Sequence, residues 1–133
     1  MSESMNVQTA TLVLGQFSGA TEVPLFNVPT SGGGITVQEV WAYQNGTGGS
    51  AITAGTAIGA KLVTMGTVAT GGTPAVDGTV GTFAGTIVTA AGVVHKLTLS
   101  TPFVEAGKFI GFDETAGTVA AGLTIQLAYV LGK

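Results

Sequence analysis

Four charged side chains that could act as acids, bases or metal ligands fall within one short segment. The sequence FVEAGKFIGFDETAG, residues 103–117, carries Glu105, Lys108, Asp113 and Glu114, out of 11 charged residues (4 Lys, 7 Asp and Glu) in a chain of 133. Neighbouring carboxylates can serve glycoside hydrolysis or bind Ca²⁺. Adjacent residues on a strand point to opposite faces, so Asp113 and Glu114 face each other only if the chain turns there.

The residue types around these carboxylates favour a structural interpretation. DETAG is typical of a turn in which Asp113 accepts backbone hydrogen bonds and Glu114 lies in solvent. Glu105 and Lys108 flank the bend EAGK, where we expect an exposed ion pair. We therefore predict that this segment forms the solvated end of an otherwise uncharged domain.

A hydrolase would need Asp113, Glu114, Asp77 and His95 to converge, with separations below about 10 Å. His95 is the single histidine, and its alternation with Leu97 and Leu99 favours a core or sheet-edge position. The chain has no cysteine and its carboxylates are scattered, so we predict no cofactor, no zinc or iron site and no enzymatic activity. The hydrolase remains an alternative that the distances decide.

Composition excludes several partners. Charged residues make up 8% of the chain, against about 25% in an average soluble domain. There is no arginine, the four lysines are dispersed and the net charge is −3, so nucleic-acid binding is not expected. A surface with so little charge repulsion favours self-association or attachment to an assembly.

No membrane or export segment is predicted. The apolar C-terminal stretch, residues 120–132, alternates at strand period, with Thr124 and Gln126 on one face, and no apolar run is long enough for a spanning helix. The N-terminal sequence MSESMNVQTA lacks the basic and apolar regions of a signal peptide. We expect the chain to act where it is made or to leave by host lysis.

Periodicity predicts an all-β chain. Gly, Thr, Val and Ile are frequent and helix-forming residues are scarce. Turn-forming Gly, Asn, Pro and Asp residues separate eight predicted strands, near residues 9–17, 22–29, 34–44, 57–69, 79–89, 93–100, 108–113 and 122–131. We predict a single antiparallel eight-stranded β-sandwich over residues 9–133, most simply a jelly roll, with an immunoglobulin-like sandwich as the alternative.

Two details of these strands stay open. Val40 interrupts the alternation that begins at Ile35 and Val37, which indicates either a β-bulge near Glu39 or a strand covered on both faces. Residues 46–60 are long for a hairpin connection and are interpreted as a crossing between sheets.

Partner contacts are predicted in two places. Trp41 and Tyr43 are aromatic side chains on one face of a strand, as at many protein interfaces. The polar segment before the first strand is interpreted as a flexible arm that orders on a neighbouring subunit. Its residues are Met1, Ser2, Glu3, Ser4, Met5, Asn6, Val7 and Gln8.

The segment FVEAGKFIGFDETAGTVAAGLTIQLAYVLGK, residues 103–133, together with the Gly- and Thr-rich strand plan, resembles small structural proteins of tailed bacteriophages. It resembles especially the β-sandwich head decoration, or cement, proteins. The resemblance implies a non-enzymatic virion protein, made in the host cytoplasm, that binds the capsid exterior as a homo-oligomer, with a trimer favoured. Its partner would be the major capsid protein. The alternative is a carbohydrate- or receptor-binding module of a tail fibre or adhesin, in which Trp41 and Tyr43 stack on sugars.

Overall fold

The computed structural model describes residues 6–14, 17–18, 21–44, 56–58, 60–66, 75–84, 87–88, 93–119 and 122–133. Within these residues the structure is all β, and no helix long and apolar enough to cross a membrane is found. The strands are β1 (Gln8–Val13), β2 (Phe17–Ser18), β3 (Thr21–Asn27), β4 (Ile35–Gln44), β5 (Thr56–Ile58), β6 (Lys61–Met65), β7 (Val76–Phe83), β8 (Ile87–Val88), β9 (His95–Leu99), β10 (Phe103–Val104), β11 (Phe109–Glu114), β12 (Ala116–Val119) and β13 (Leu123–Leu131).

Eight of these strands build two antiparallel sheets in the order of a jelly roll. One sheet runs β1-β13-β4-β9, which we call the front sheet, and the other runs β3-β11-β6-β7, the back sheet. Among the eight, β1 pairs with β13, β3 with β11, β4 with β9 and β6 with β7, so the first strand pairs with the last and each later pair lies inside the one before it. This nesting is that of a long hairpin rolled into a sandwich, so the jelly-roll prediction is confirmed over the immunoglobulin alternative.

The β9 strand joins the two sheets along one side. Its first half pairs with β4 through Lys96 and His95, and its second half pairs with β7 from Leu97 to Leu99. On the other side the sheets meet through side chains, because the rings of Phe26 on β3 and Tyr129 on β13 lie 5.6 Å apart.

The core lies between the inner faces of the two sheets. Alternate residues of β4 and β13 point inward from the front sheet, and alternate residues of β11 point inward from the back sheet. Fully buried members of this core are Ile35, Val40, Ala42, Leu62, Val80, Ile110, Phe112, Leu123, Ile125 and Leu127.

Each of the eight predicted strands overlaps one strand of the sandwich, but the predicted strands 57–69 and 79–89 also take in residues of β5 and β8, which are separate short strands. Of the two alternatives left open at Glu39, the structure has the β-bulge: Ala128 pairs with Glu39 and Tyr129 with Val37, which leaves Gln38 as the extra residue. This insertion places Glu39, Trp41 and Tyr43 together on the outer face of the front sheet. The connection after β4 does cross to the back sheet, and it contains β5.

A further sheet, of four short strands, covers one end of the sandwich. It runs β2-β12-β5-β8, and its strands lie in the four connections between β1 and β3, β4 and β6, β7 and β9, and β11 and β13. In a jelly roll these four connections lie at the same end, which we call the capped end. Asn6, Lys133 and the loops 28–34 and 100–108 lie at the opposite, open end.

Candidate functional site

The charges of residues 103–117 divide between the two ends of the sandwich. At the open end Lys108 Nζ lies 2.8 Å from Asp77 Oδ2 and 3.8 Å from Glu105 Oε2. The predicted pair of Glu105 and Lys108 is confirmed, but the closer partner of the lysine is Asp77, from a different strand. Thr64 Oγ1 donates a hydrogen bond of 2.6 Å to Asp77 Oδ1.

This open-end cluster borders a groove of about 500 Å³. Hydroxyls of Thr79 and Thr101 line it, and Lys133 Nζ lies 5.1 Å from the centroid of the Phe103 ring. The Lys108 ammonium, with the Thr64 hydroxyl, lowers the pKa of Asp77. A carboxylate engaged by both groups is a poor general base, so the arrangement suits a structural tie between β6, β7 and the loop before β11.

Asp77→Asn is expected to lower stability by less than about 1 kcal/mol, because the Asp77 carboxylate is largely exposed and screened. Since its pKa is lowered in the folded state, its contribution is present above its ordinary pKa of 3.8 and is lost as the pH falls through the folded-state value. Urea unfolding at pH 7 should show the deficit at low salt and not in 1 M NaCl. Glu105→Gln, whose side chain is 70% exposed, is the control and should change nothing. A deficit that persists in high salt would contradict an electrostatic tie.

Asp113 and Glu114 do not form the predicted turn. Both belong to β11, and the chain bends at Thr115 before β12. Asp113 lies 3.6 Å from Lys61 Nζ on the outer face of the back sheet. Glu114 was expected in solvent, but it points inward and is 2% exposed. The alternation of β11 places it in line with Ile110 and Phe112, and the capping sheet covers that end.

The Glu114 carboxylate is buried without compensation. Neither of its oxygens accepts a hydrogen bond from the residues that the structure describes. Burial, and secondly the negative charge of Asp113, raise the pKa of Glu114. The uncharged Gln44 is also buried and points inward at the same end from β4.

Asp77 lies at the opposite end of the back sheet from Asp113 and Glu114, so the four hydrolase candidates do not all converge. Lys108, the partner of Asp77, precedes β11, whereas Asp113 lies near its end, a span of about 16 Å along an extended strand. His95 is half-buried and lies on β9, where it pairs in register with Ala42. Within the described residues no group of three or more His, Cys, Asp or Glu side chains could hold a metal ion.

The outer face of the front sheet presents the aromatic residues predicted to contact partners. Trp41 and Tyr43 are half-buried there, and with Val94 and Gln126 they line a shallow groove of about 290 Å³. Gln126 is the register partner of Trp41 on β13. The groove is lined mainly by apolar surface, which suits docking more than catalysis.

The outer face of the front sheet, which we call the front face, carries almost no net charge. Lys96 Nζ lies 3.0 Å from Glu39 Oε1 beside Trp41, so the two charges neutralise each other. The described strands of the front sheet place no other Lys, Asp or Glu on this face. By contrast, Glu22, Lys61 and Asp113 lie along the outer face of the back sheet.

Sequence reasoning missed Val94 and Gln126 as neighbours of Trp41. Gln126 alternates with Ile125 and Leu127, which marks it as outward-facing, but the pairing of β13 with β4 is needed to place it beside the tryptophan.

Part of the predicted N-terminal arm is visible. Asn6 and Val7 are exposed and precede β1, whereas Gln8 is its first residue and pairs with Tyr129. The Tyr129 hydroxyl donates a hydrogen bond of 3.2 Å to Gln8 Oε1. Met1 to Met5 lie outside the described residues. A small groove lined by Asn6, Gln8, Val130, Leu131 and Lys133 lies beside the start of β1.

Comparison with known structures supports the fold. A chain in the solved structure "Capsid of Ralstonia phage GP4" superposes with a TM-score of 0.60 at 19% sequence identity, over 100% of this chain and 90% of that chain. At this identity the similarity shows a shared fold. No protein-family model matches the sequence, and a comparison with curated proteins found no match.

Proposed function

We propose that this protein is a non-enzymatic structural protein of a bacteriophage virion, and specifically a decoration, or cement, protein on the outside of the head. The observation that carries the proposal is the full-length similarity of fold to a chain from a phage capsid. The low charge agrees with a role in docking. In this proposal the protein bridges neighbouring major capsid subunits and stabilises the contact between them.

The front face is the proposed docking surface. It is the outer face of a four-stranded sheet, with an aromatic pair and one neutralised ion pair. Burying this face desolvates no unpaired charge, which is the main cost of placing polar surface in an interface. Trp41 lies on this face and is the residue type most enriched among side chains that dominate binding energy.

The N-terminal segment is proposed as a second contact. Asn6 and Val7 extend from the front sheet at the open end, so the residues before them can reach a neighbouring subunit. Two modest contacts on one molecule bind far more tightly than either alone, because the second forms at high effective concentration. Attachment would then be long-lived without covalent chemistry.

Co-sedimentation with empty heads built from the major capsid protein of the same virus tests the proposal. We expect the full chain to bind and Trp41→Ala to weaken binding by about 30-fold, the effect of losing about 2 kcal/mol at an interface hot spot. Deletion of residues 1–6, which leaves β1 intact, should accelerate dissociation.

Thr82→Ala provides the matched control. Thr82 is exposed on β7, where it pairs with Lys61 in the back sheet, so its loss should leave binding unchanged. Failure of the full chain to bind heads would refute the decoration role. Equal binding by Trp41→Ala would reject the front face as the docking surface.

The groove beside Trp41 also supports a second candidate, a carbohydrate-binding module. An aromatic platform flanked by the Gln126 amide can stack on a sugar ring and bond its hydroxyls. Binding to a glycan array that is lost in Trp41→Ala, together with no binding to heads, would favour this function.

A further inference from the structure

The first strand of the front sheet has one unpaired edge. Leu14 N–H donates to the Leu123 carbonyl, and the Leu14 carbonyl accepts from Gly122 N–H, so both backbone groups of Leu14 point toward β13. Backbone groups alternate along an extended strand. The N–H and C=O groups of Thr9, Thr11 and Val13 therefore point away from β13, and no described strand pairs with them.

This edge carries none of the usual protections against pairing with another chain. The sequence of β1, QTATLV, contains no charged residue and no proline. Thr9, Thr11 and Val13 are exposed, and 60% of the Val13 surface is accessible to solvent. Edges that stay unpaired in solution are normally protected by Lys, Pro or a bulge.

The other long edge, β3, is protected in these ways. It contains Pro24, which lacks an N–H, and the exposed Glu22. Its pairing with β11 is also irregular between Ile110 and Gly111. Within the described part of the chain, the remaining terminal strands, β2, β8 and β10, are each two residues long. One extended edge is thus open and the other is blocked.

We propose that β1 pairs antiparallel with β1 of a second copy of this chain, about a two-fold axis at Thr11. In a ring of three copies joined through sheet edges, β1 of one copy would have to pair with a different edge strand of the next copy, and the other long edge, β3, is blocked. A two-fold pair needs only β1 from each copy. Thr11 then exchanges both backbone hydrogen bonds with its counterpart, and Thr9 lies opposite Val13. Because β1 is uncharged, no like charges meet across the axis. The resulting oligomer is a dimer and not the trimer implied by the resemblance.

The pairing would make one continuous eight-stranded sheet from two front sheets. A two-fold axis normal to the sheet keeps both outer faces on the same side, so the two Trp41 grooves face the same direction. This consequence rests on the proposed function: two docking faces on one dimer bind a capsid with avidity. The pairing itself does not depend on a capsid.

Cysteine cross-linking tests the register, because the natural chain has no cysteine. Thr11→Cys should give covalent dimers with a short dimaleimide, since the two introduced thiols lie opposite each other. A mixture of Thr9→Cys and Val13→Cys should cross-link to the heterodimer. Thr98→Cys, exposed on β9, is the control and should give no dimer. Cross-linking of Thr98→Cys to the same extent as Thr11→Cys would overturn the proposal.

Thr11→Pro removes an N–H with which no described strand pairs, and an edge strand can accommodate proline. Sedimentation equilibrium should show the natural chain as a dimer and Thr11→Pro as a monomer with an unchanged β circular-dichroism spectrum. A natural chain that is monomeric at high concentration, or a Thr11→Pro variant that stays dimeric, refutes the pairing. If monomeric Thr11→Pro still binds heads, though more weakly, and adding Trp41→Ala weakens that binding further, the decoration role holds independently of the dimer.

Discussion

Gly34→Ala is expected to destabilise the protein by about 2 to 4 kcal/mol, whereas the same change at Gly33 costs about 1 kcal/mol. Both glycines have positive φ angles, +93° and +74°, which penalise any residue with a Cβ. The two sites differ in space. A methyl group on Gly34 would lie 2.5 Å from the Val104 carbonyl oxygen, whereas one on Gly33 meets nothing within 4 Å.

The surroundings of Gly34 explain why this clash is not easily relieved. The contacting oxygen belongs to the backbone of β10, which pairs with the start of β4 at Ile35. On its other side, the Gly34 carbonyl accepts a 2.8 Å hydrogen bond from Gly132 N–H. Thr36 Oγ1 donates a 2.7 Å bond to the Gly132 carbonyl. Moving the backbone at Gly34 would therefore loosen β10 and the end of β13 together.

Equilibrium urea unfolding of both variants measures the difference. The natural chain and Gly33→Ala should have similar midpoints, Gly34→Ala a clearly lower one, and all three the same m-value. Equal losses at the two positions would mean that the φ angle alone determines the cost and that β10 moves freely.

The sequence predicts the sandwich because its eight strands carry their own periodicity. The last strand shows it most clearly, where Leu123, Ile125 and Leu127 alternate with more polar neighbours, so it can be recognised without its partners. In β6 and β11 the alternation is weaker, and the Gly, Pro and Asp residues around them mark their ends. The five short strands lack that signal. The capping strands β5 and β12 are rich in Thr, Ala and Gly, and only the convergence of four loops at one end makes them strands.

Which residues meet in the candidate sites is determined more by the strand topology than by the local sequence. Lys108 and Glu105 are three residues apart and were paired correctly, but Asp77 is 31 residues from its partner Lys108. The local sequence DETAG favours a turn, yet the inward alternation from Ile110 continues through Phe112 to Glu114. The face on which Trp41 lies depended on a one-residue bulge, which the sequence indicated near Glu39 as one of two alternatives.

Glu114→Gln is expected to stabilise the protein by about 1 to 3 kcal/mol at pH 8 and to have little effect below pH 4.5, because the substitution removes a buried charge that has no hydrogen-bond partner among the described residues. Burial raises the folded-state pKa of Glu114 above its ordinary value of 4.5. The folded protein therefore binds this proton more tightly than the unfolded chain does. Its stabilising contribution is full below the ordinary pKa and is lost as the pH rises through the folded-state value.

The charged groups on the strands next to Glu114 do not cancel this cost. Asp113 precedes it on β11 and adds to the rise in its pKa. Lys61 on β6 lies 3.6 Å from the Asp113 carboxylate on the outer face. Glu22 on β3 is exposed and carries the same sign of charge as Glu114. The buried carboxylate thus lacks a cation within the described strands that pair with β11.

Thermal and urea unfolding from pH 4 to pH 8 measures the effect as the difference between Glu114→Gln and the natural chain. The difference should grow with pH, since only the natural chain carries the titrating group. Glu22→Gln is the matched control, and as a surface change it should stay within about 0.5 kcal/mol of the natural chain at every pH. A Glu114→Gln variant that is less stable at pH 8 than the natural chain would show that the ionised carboxylate has a stabilising partner at the capped end. A difference that does not vary with pH would show that burial does not perturb this group.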